Sequence, residues 1–260
     1  MTNSAPSPQL ERLLAIMKRL RDPERGCEWD LAQDFKSIAP YTIEEAYEVS
    51  DAIERGDMDE LKAELGDLLL QVMFHARMAE EAKLFAFDDV ARSISDKMES
   101  RHPHIFGDEA GTMDAKRWED LKAAERSDTG STSAMDGVAN ALPALMRSEK
   151  LQKRAARVGF EWHDMKGPRD KLNEELEELD TATKDERLVE AGDVLFVAVN
   201  IIRRYGVDPE QALQASNAKF ERRFRQMEEL ASSAGETFAD LSLDQQEAYW
   251  QQVKKLEKNL

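Results

Sequence analysis

Hydrophobic residues recur along this chain with the period of an α-helix, with polar residues between them. In residues 61–78, apolar side chains recur three and four positions apart, and residues 186–204 repeat that spacing. Such spacing puts the apolar side chains on one side of a helix and predicts a buried stripe. Patterns typical of strands are scarce, so the sequence predicts an almost entirely α-helical fold. The apolar positions are Leu61, Leu65, Leu68, Leu69, Val72, Met73 and Ala76 in the first stretch and Leu188, Val194, Leu195, Val197, Ala198, Ile201 and Ile202 in the second.

Residues that begin or end helices flank these stretches. Thr42 follows Pro40 and Tyr41 and is expected to cap a helix that begins there. Gly56 is expected to end this helix, because glycine readily adopts the left-handed conformation that often follows a helix. In the second half, residues 166–168 are expected to open a helix, and residues 205–209 to close the next one.

The two halves of the chain carry similar segments in the same order. Such an order, with small drifts in offset, predicts a tandem duplication of an α-helical unit. Residues 127–143, rich in Ser, Thr, Gly and Asp, are predicted to link an N-terminal unit, 1–126, to a C-terminal unit, 144–260. The matching segments are GCEWD with GFEWH, EEAYEVSDA with EELEELDTA, ELGDLLLQVMFHARM with EAGDVLFVAVNIIRR, DKMESRH with AKFERRF, and RWEDLKAAE with YWQQVKKLE.

The composition limits the possible partners and compartments. The chain has 53 acidic and 36 basic residues and a formal net charge of −17, so its surface repels nucleic acids and anionic membranes. The single cysteine, Cys27, excludes a disulfide within the chain and a cysteine-rich zinc site. No secretory signal is recognisable, and no apolar stretch reaches the ~18 residues of a membrane span. A cytoplasmic protein without nucleic-acid or membrane partners is therefore expected.

Pairs of carboxylates lie next to the apolar positions in both halves. Glu45 and Glu48 are three residues apart, as are Glu64 and Asp67, and this spacing puts each pair on one helix face. A turn near Gly56 would fold the two helices into an antiparallel pair, on which four carboxylates converge. Converging carboxylates raise one another's pKa or bind cations, and oxygen ligands suit Mg²⁺ or Mn²⁺. The equivalent residues of the second half are Glu175, Glu178, Glu190 and Asp193.

Phosphate-binding candidates are concentrated in the second half. Lys219 and Arg223 share a predicted helix face with Arg222 beside them, and arginine can bind phosphate through two hydrogen bonds. In the first half, Ser100 occupies the place of Arg222, next to Arg101. The alternative is an ordinary surface helix whose basic residues pair with nearby glutamates.

The acidic and aromatic candidates also fit structural roles. Acidic residues at this spacing often form a solvated helix face, and Thr42 with Glu45 fits a capping box. Trp118 and Trp250 occupy matching places, where each could stack on a nucleobase or pack inside the fold. The alternative function is a non-catalytic helical module whose acidic faces bind a basic partner.

The ordered segments resemble the MazG family of nucleoside triphosphate pyrophosphohydrolases, in particular its two-domain bacterial members. The resemblance covers nearly the whole chain and is weakest over residues 108–143. The sequence departs from the family pattern in the spacing between the two carboxylate pairs of the second half. Only 11 residues separate Glu178 from Glu190, against 15 between Glu48 and Glu64, which indicates a short second hairpin loop. The segments that carry the resemblance are RLRDPERGCEWD, IAPYTIEEAYEV, ELGDLLLQV, SDKMESRHPHIF and NAKFERRF.

The resemblance implies an all-α homodimer that hydrolyses NTPs and dNTPs to the monophosphate and pyrophosphate with Mg²⁺. It also implies a role in clearing aberrant or excess nucleotides, with the main activity in the C-terminal unit. The implied catalytic residues and metal ligands of that unit are Glu175, Glu178, Glu190 and Asp193, and the implied metal ligands of the N-terminal unit are Glu45, Glu48, Glu64 and Asp67. The implied nucleotide contacts are Lys171, Glu174, Arg187, Lys219, Arg222, Arg223, Trp250 and Lys254.

The mechanistic hypothesis is attack by a water on a phosphorus of the triphosphate, with Mg²⁺ and a carboxylate base activating that water. Pyrophosphate then leaves, with its charge held by Mg²⁺, Lys219 and Arg223. Few side chains are candidates for reading the base, so a broad range of nucleotides is expected.

Overall fold

A computed structural model describes residues 7–107, 112, 117, 118, 121 and 132–258. These residues form eleven α-helices and contain no strand, which confirms the all-α prediction. The helices divide into two compact units, Met1–Leu121 and Lys122–Leu260. Part of the predicted linker, residues 127–131, lies outside the described residues, and its bounds stay a prediction. No helix of the described part is both long enough and apolar enough to cross a membrane.

The first unit is built around a pair of long antiparallel helices. Helices α3 and α4 form this pair, and α1 and α5 pack against α4. The core lies toward the second half of α4, where Phe74 and Met78 meet Met17 of α1 and Ile38 of α3. The helices of this unit are α1 (Pro8–Leu20), α2 (Glu28–Leu31), α3 (Phe35–Arg55), α4 (Met58–Glu81), α5 (Phe87–Arg101) and α6 (Pro103–Phe106).

Helix α3 begins earlier than predicted. The Asp34 side chain accepts hydrogen bonds from the backbone N–H groups of Lys36 and Ser37, and the Asp34 N–H donates to Ser37 Oγ at 2.9 Å. This capping box holds the first turn, so the helix continues through Pro40. The prediction that Thr42 caps the helix was wrong: Thr42 lies inside α3, and its hydroxyl is 3.1 Å from His75 Nε2.

The turn between α3 and α4 follows the prediction. Gly56 has a φ of +70° and ends α3 in the left-handed conformation. Asp57 then caps α4, because its side chain accepts hydrogen bonds from the N–H groups of Asp59 and Glu60. The two-residue turn brings the acidic residues of α3 and α4 to neighbouring positions.

The second unit repeats the helix pair and adds three helices. Helices α8 and α9 form the antiparallel pair, α7 packs against α9 and α10, and α10 packs against α11. Helix α8 begins at Lys166 and α9 ends at Arg204, as the sequence predicted. The helices of this unit are α7 (Ala144–Arg157), α8 (Lys166–Thr181), α9 (Arg187–Arg204), α10 (Pro209–Ser233) and α11 (Leu243–Lys258), with a short 3₁₀ helix at Phe238–Asp240.

The prediction of a short loop in the second hairpin was wrong. Residues 182–186 connect α8 to α9, whereas only residues 56–57 connect α3 to α4. The close spacing in sequence arises because α8 ends three residues after Glu178 and α9 begins three residues before Glu190. The helical arms near this turn are therefore shorter, and the loop itself is longer.

The predicted apolar stripes are buried only in part. Met73 and Ala76 on α4 and Val197 on α9 are buried, as predicted. Leu65 on α4 and Leu188 on α9 are 50% and 85% exposed, so the prediction of a continuous buried stripe was wrong. On α4 the reason is that α1 covers the second half of the helix, around Phe74 and Met78. The first halves of α4 and α9, which carry carboxylates, expose apolar side chains next to them.

Candidate metal and phosphate site

Three carboxylates meet between α8 and α9 in the second unit. Glu175 from α8 and Glu190 and Asp193 from α9 each offer an oxygen, and these oxygens lie within 4.8 Å of one another. Glu175 is only 5% exposed, so its carboxylate lies at the inner end of the cluster. Helical spacing puts Glu190 and Asp193 on one face of α9, and the hairpin folds that face toward Glu175.

Glu178 and Lys171 border this trio. Glu178, the fourth predicted ligand, lies outside the trio, and a hydrogen bond with Glu175, followed by burial, raises the pKa of Glu178. The Lys171 ammonium is 2.8 Å from Glu175 and 2.6 Å from Glu174. Hydrogen bonds to Glu174 and then Glu175 raise the pKa of Lys171. The carboxylates of Glu174 and Glu175 thus already pair with one positive charge, that of the Lys171 ammonium.

The residues present fit a hard divalent cation. All three donors of the trio are carboxylate oxygens, which are the ligands that Mg²⁺ and Mn²⁺ prefer. A largely buried carboxylate such as Glu175 is costly to keep charged without a nearby cation, and the Lys171 ammonium supplies positive charge 2.8 Å away. Glu175, Glu190 and Asp193 could therefore hold the ion, with Glu178 beside them.

The first unit holds a second acidic trio. Glu45 and Glu48 from α3 and Glu64 from α4 offer oxygens within 4.8 Å of one another, and Asp67 falls outside this set. Burial, followed by the charges of Asp67 and Glu48, raises the pKa of Glu45. Burial and the charges of Glu48 and Asp67 also raise the pKa of Glu64. The predicted pairs on α3 and α4 are therefore close enough to repel one another.

Gln71 is a neighbour of this first cluster that the sequence analysis missed. It is 8% exposed, and its Nε2 donates a long hydrogen bond of 3.4 Å to Glu45. Its Oε1 is buried, and no described residue donates a hydrogen bond to it. Val197 occupies the matching place in the second unit, so the two clusters have different surroundings. Because Thr42 lies inside α3, the predicted capping box does not occupy Glu45.

A basic group lies on α10 and α11. Glu257 on α11 accepts a hydrogen bond of 3.0 Å from Arg222 Nη2 and bonds of 2.8 and 2.6 Å from Arg223 Nε and Nη2. The Arg223 guanidinium carbon is 5.3 Å from the centroid of the Trp250 ring, which also lies 5.9 Å from the Phe220 ring. Hydrogen bonds from Arg223 and then Arg222 lower the pKa of Glu257. Glu257 was missed as a site residue, although it closes one of the repeated segments.

Apart from Arg187, the predicted nucleotide contacts therefore form two groups. Lys171 and Glu174 lie on α8 beside the acidic trio. Lys219 and both arginines lie on α10, and Trp250 and Lys254 on α11. Arg187 is the first residue of α9. Within the described part of the chain, no hydrogen bond or ion pair joins the α10–α11 group to the acidic trio.

An arginine also lies over a tryptophan in the first unit. The Arg101 guanidinium carbon is 5.2 Å from the centroid of the Trp118 ring, and these two residues match Arg223 and Trp250 in the sequence repeat. The similar contact supports the predicted duplication, which stays a prediction. Ser100 stands where the second unit has Arg222, so the first unit has one guanidinium fewer at this place.

Comparisons with known proteins agree with this architecture. The model of the MazG nucleotide pyrophosphohydrolase domain matches residues 33–106, which contain the first acidic cluster. A nucleoside triphosphate pyrophosphohydrolase of Escherichia coli (strain K12) is 48% identical over 97% of this chain and 99% of its own length. The chain belongs to the MazG family.

Other relatives extend the MazG match over both units. The nucleoside triphosphate pyrophosphohydrolase/pyrophosphatase MazG of Thermotoga maritima is 44% identical over 94% of this chain and 95% of its own length. The uncharacterized protein YabN of Bacillus subtilis is 42% identical over 94% of this chain, which corresponds to 51% of its own length. MazG membership therefore rests on the whole chain, whereas the domain model matches only the first unit.

Proposed function

We propose that this chain is a Mg²⁺-dependent nucleoside triphosphate pyrophosphohydrolase that converts NTPs and dNTPs to the monophosphate and pyrophosphate. The observation that carries the proposal is the carboxylate trio of Glu175, Glu190 and Asp193 with the Lys171 ammonium beside it. Two relatives that match nearly the full chain are named nucleoside triphosphate pyrophosphohydrolases. Removal of aberrant or excess nucleotides is the role that we infer.

The acidic trio is the proposed metal site. Glu175, Glu190 and Asp193 would hold a divalent ion, which would supply positive charge to the phosphate oxygens and polarise water. Glu178 lies beside the trio but outside it, so its ionised carboxylate would be the one left to accept the proton of the attacking water. Lys171, now paired with carboxylates, donates to a phosphate oxygen of the substrate.

The basic group holds the rest of the nucleotide. The Arg222 and Arg223 guanidinium groups bind the pyrophosphate portion of the triphosphate, which carries most of its negative charge. Lys219 and Lys254 add positive charge on the same two helices. The Trp250 ring offers a flat aromatic face on which any base can stack, which suits a broad range of nucleotides.

The experiment that tests the proposal compares matched variants of the two clusters. The purified protein is incubated with each of the eight common nucleotides and Mg²⁺, and the products are identified by ion-exchange chromatography. We expect monophosphate and pyrophosphate. Glu175→Gln, which keeps the shape of the side chain and removes its charge, should lower kcat by about 10²-fold or more. Glu45→Gln should retain most of the activity.

Three outcomes would contradict parts of this assignment. Release of diphosphate and single phosphate would indicate a different hydrolase. Absence of turnover in the folded wild-type protein would favour the acidic interaction module. Loss of activity in Glu45→Gln but not in Glu175→Gln would move the main site to the first unit.

We further propose that the chain acts as a homodimer. Leu65 on α4 and Leu188 and Leu195 on α9 are half or more exposed beside the carboxylates, and apolar surface that is exposed in one place marks protein interaction sites. A second copy would cover such surfaces. Light scattering coupled to size-exclusion chromatography should give a mass near twice the chain mass of 29.6 kDa, and a monomer at micromolar concentration would contradict the proposal.

A further inference from the structure

Two guanidinium groups converge on one carboxylate at the end of the chain. Arg222 and Arg223 are consecutive on α10, and consecutive residues of an α-helix point about 100° apart. Helix α10 alone therefore does not bring their side chains together. Glu257 on α11 does so, because Arg222 donates to its Oε1 at 3.0 Å and Arg223 donates to its Oε2 at 2.8 and 2.6 Å.

The contact fixes the plane of the Arg223 guanidinium. Its Nε and Nη2 both donate to Glu257, while its carbon lies 5.3 Å from the Trp250 ring centroid. The Arg223 side chain is 19% exposed and that of Glu257 is 23% exposed, so both are held in a partly desolvated place. A guanidinium has five N–H donors, and these two bonds leave its outer nitrogen pointing away from Glu257.

The charge balance of the cluster still favours an anion. Two guanidinium charges side by side repel each other, and one carboxylate between them lowers that repulsion without cancelling the positive charge. Arg222, Arg223 and Glu257 together carry a net charge of +1, to which Lys219 and Lys254 on the same helices add. A triphosphate or pyrophosphate group is the ligand class that such a fork of arginines recognises.

We infer that Glu257 is a positioning residue for the nucleotide: it holds Arg222 and Arg223 together so that both guanidinium groups meet the phosphates. This inference rests on the proposed function, because it assigns the two arginines to the phosphates of the same substrate. Glu257 itself does not touch the substrate and acts through the arginines.

The test is a steady-state comparison of Glu257→Gln with wild type, using ATP at saturating Mg²⁺. Glutamine keeps the shape but loses the charge that orients both arginines, so KM should rise about tenfold while kcat changes less than about twofold. Glu221→Gln is the matched control. Glu221 pairs with Arg225 on the same helix at 2.5 Å and takes no part in the contact of Glu257 with the two arginines. The KM of the Glu221→Gln variant should therefore equal that of wild type.

A second measurement separates positioning from a structural role. The substitution Glu257→Gln should raise KM much less in an Arg223→Gln variant than in wild type. The reason is that Glu257 acts through Arg223, which is already missing from that variant. A purely structural Glu257 would lower the unfolding temperature and kcat and leave KM unchanged, and that result would overturn the inference.

Three other outcomes also count against the inference. A lower KM in Glu257→Gln would mean that the carboxylate competes with phosphate for the arginines. An unchanged KM in an active enzyme would overturn the inference and leave the proposed function intact. A folded wild-type protein without turnover would overturn the proposed function and, with it, this inference.

Discussion

At the scale of single residues, one buried arginine ties three segments of the first unit together. Arg21 is 8% exposed, and it donates to Glu81 at 2.7 Å and to the carbonyl oxygens of Asp30 and Gln33 at 2.5 and 3.3 Å. Its guanidinium carbon also lies 5.4 Å from the centroid of the Phe74 ring. Lysine lacks this planar set of donors, so the site requires arginine.

This contact predicts how stability depends on pH. Burial alone would raise the pKa of Glu81, but hydrogen bonds and charges from Arg21 and Arg77 outweigh it and lower the pKa below the ordinary 4.5. The unfolded chain therefore takes up the proton first in acid. The stabilisation by Glu81 is fully present above about pH 4.5 and is lost as the pH falls through the lower folded-state pKa.

Glu81→Gln should accordingly destabilise the protein at pH 7 by an amount that shrinks below pH 4.5. Urea unfolding of wild type and variant at several pH values measures this difference in the free energy of unfolding. Glu80→Gln is the matched control, since the Glu80 side chain pairs with Arg77 at the surface. A difference that stays constant from pH 7 to pH 3 would show that Arg21 does not hold Glu81 ionised.

At the scale of helices, two glycines of the first hairpin should respond in opposite ways to alanine. Gly56 has a φ of +70°, which a residue with a Cβ adopts at a cost, so Gly56→Ala should lower the free energy of unfolding by about 1 kcal/mol. Gly66 lies inside α4, and a Cβ added there meets no atom within 4 Å. Gly66→Ala should therefore raise the free energy of unfolding, by up to about 1 kcal/mol.

Urea unfolding in EDTA measures both variants without metal binding. Equal destabilisation by the two substitutions would mean that the Gly66 backbone face is covered, for example by a second copy of the chain. Repeating the measurement over a range of protein concentrations distinguishes that case, because the loss would then shrink on dilution, where wild type also loses the stabilisation by its second copy.

The hairpins could be predicted from the sequence because helical spacing is local geometry. Glu45 with Glu48, and Glu190 with Asp193, share faces in any α-helix, and Gly56 marks a turn by its own backbone freedom. The start of α3 was misjudged because Pro40 suggested a boundary, whereas the Asp34 capping box holds the preceding turn.

Partners on other helices could not be predicted in the same way. Glu81 lies 60 residues from Arg21, and Glu257 lies 34 residues from Arg223. Such pairs depend on how separate helices pack, which no local spacing encodes. The exposure of Leu65 and Leu188 was missed for a similar reason: an apolar stripe does not reveal which neighbour covers it, or along what length.

At the scale of the whole molecule, the chain carries a formal net charge of −17, and the part that the structure describes holds two clusters of three carboxylates each. Without a metal, the carboxylates of each cluster repel one another, so a divalent cation should stabilise the folded state over the unfolded chain. Mg²⁺ at about 100 times its dissociation constant contributes about 2.7 kcal/mol, which corresponds to a rise of several degrees in unfolding temperature.

Differential scanning calorimetry with MgCl₂, compared with NaCl at equal ionic strength, should reveal this specific rise above the general effect of salt. Glu175→Gln and Glu45→Gln should each reduce it, and the double variant should respond to the two salts alike. If both clusters bind Mg²⁺ while only Glu175→Gln stops hydrolysis, then the second unit catalyses and the first binds metal without main activity. The basic group on α10 and α11 explains that division, because the first unit has Ser100 where the second has Arg222. An equal rise in MgCl₂ and NaCl for wild type would instead mean that neither cluster is a specific metal site.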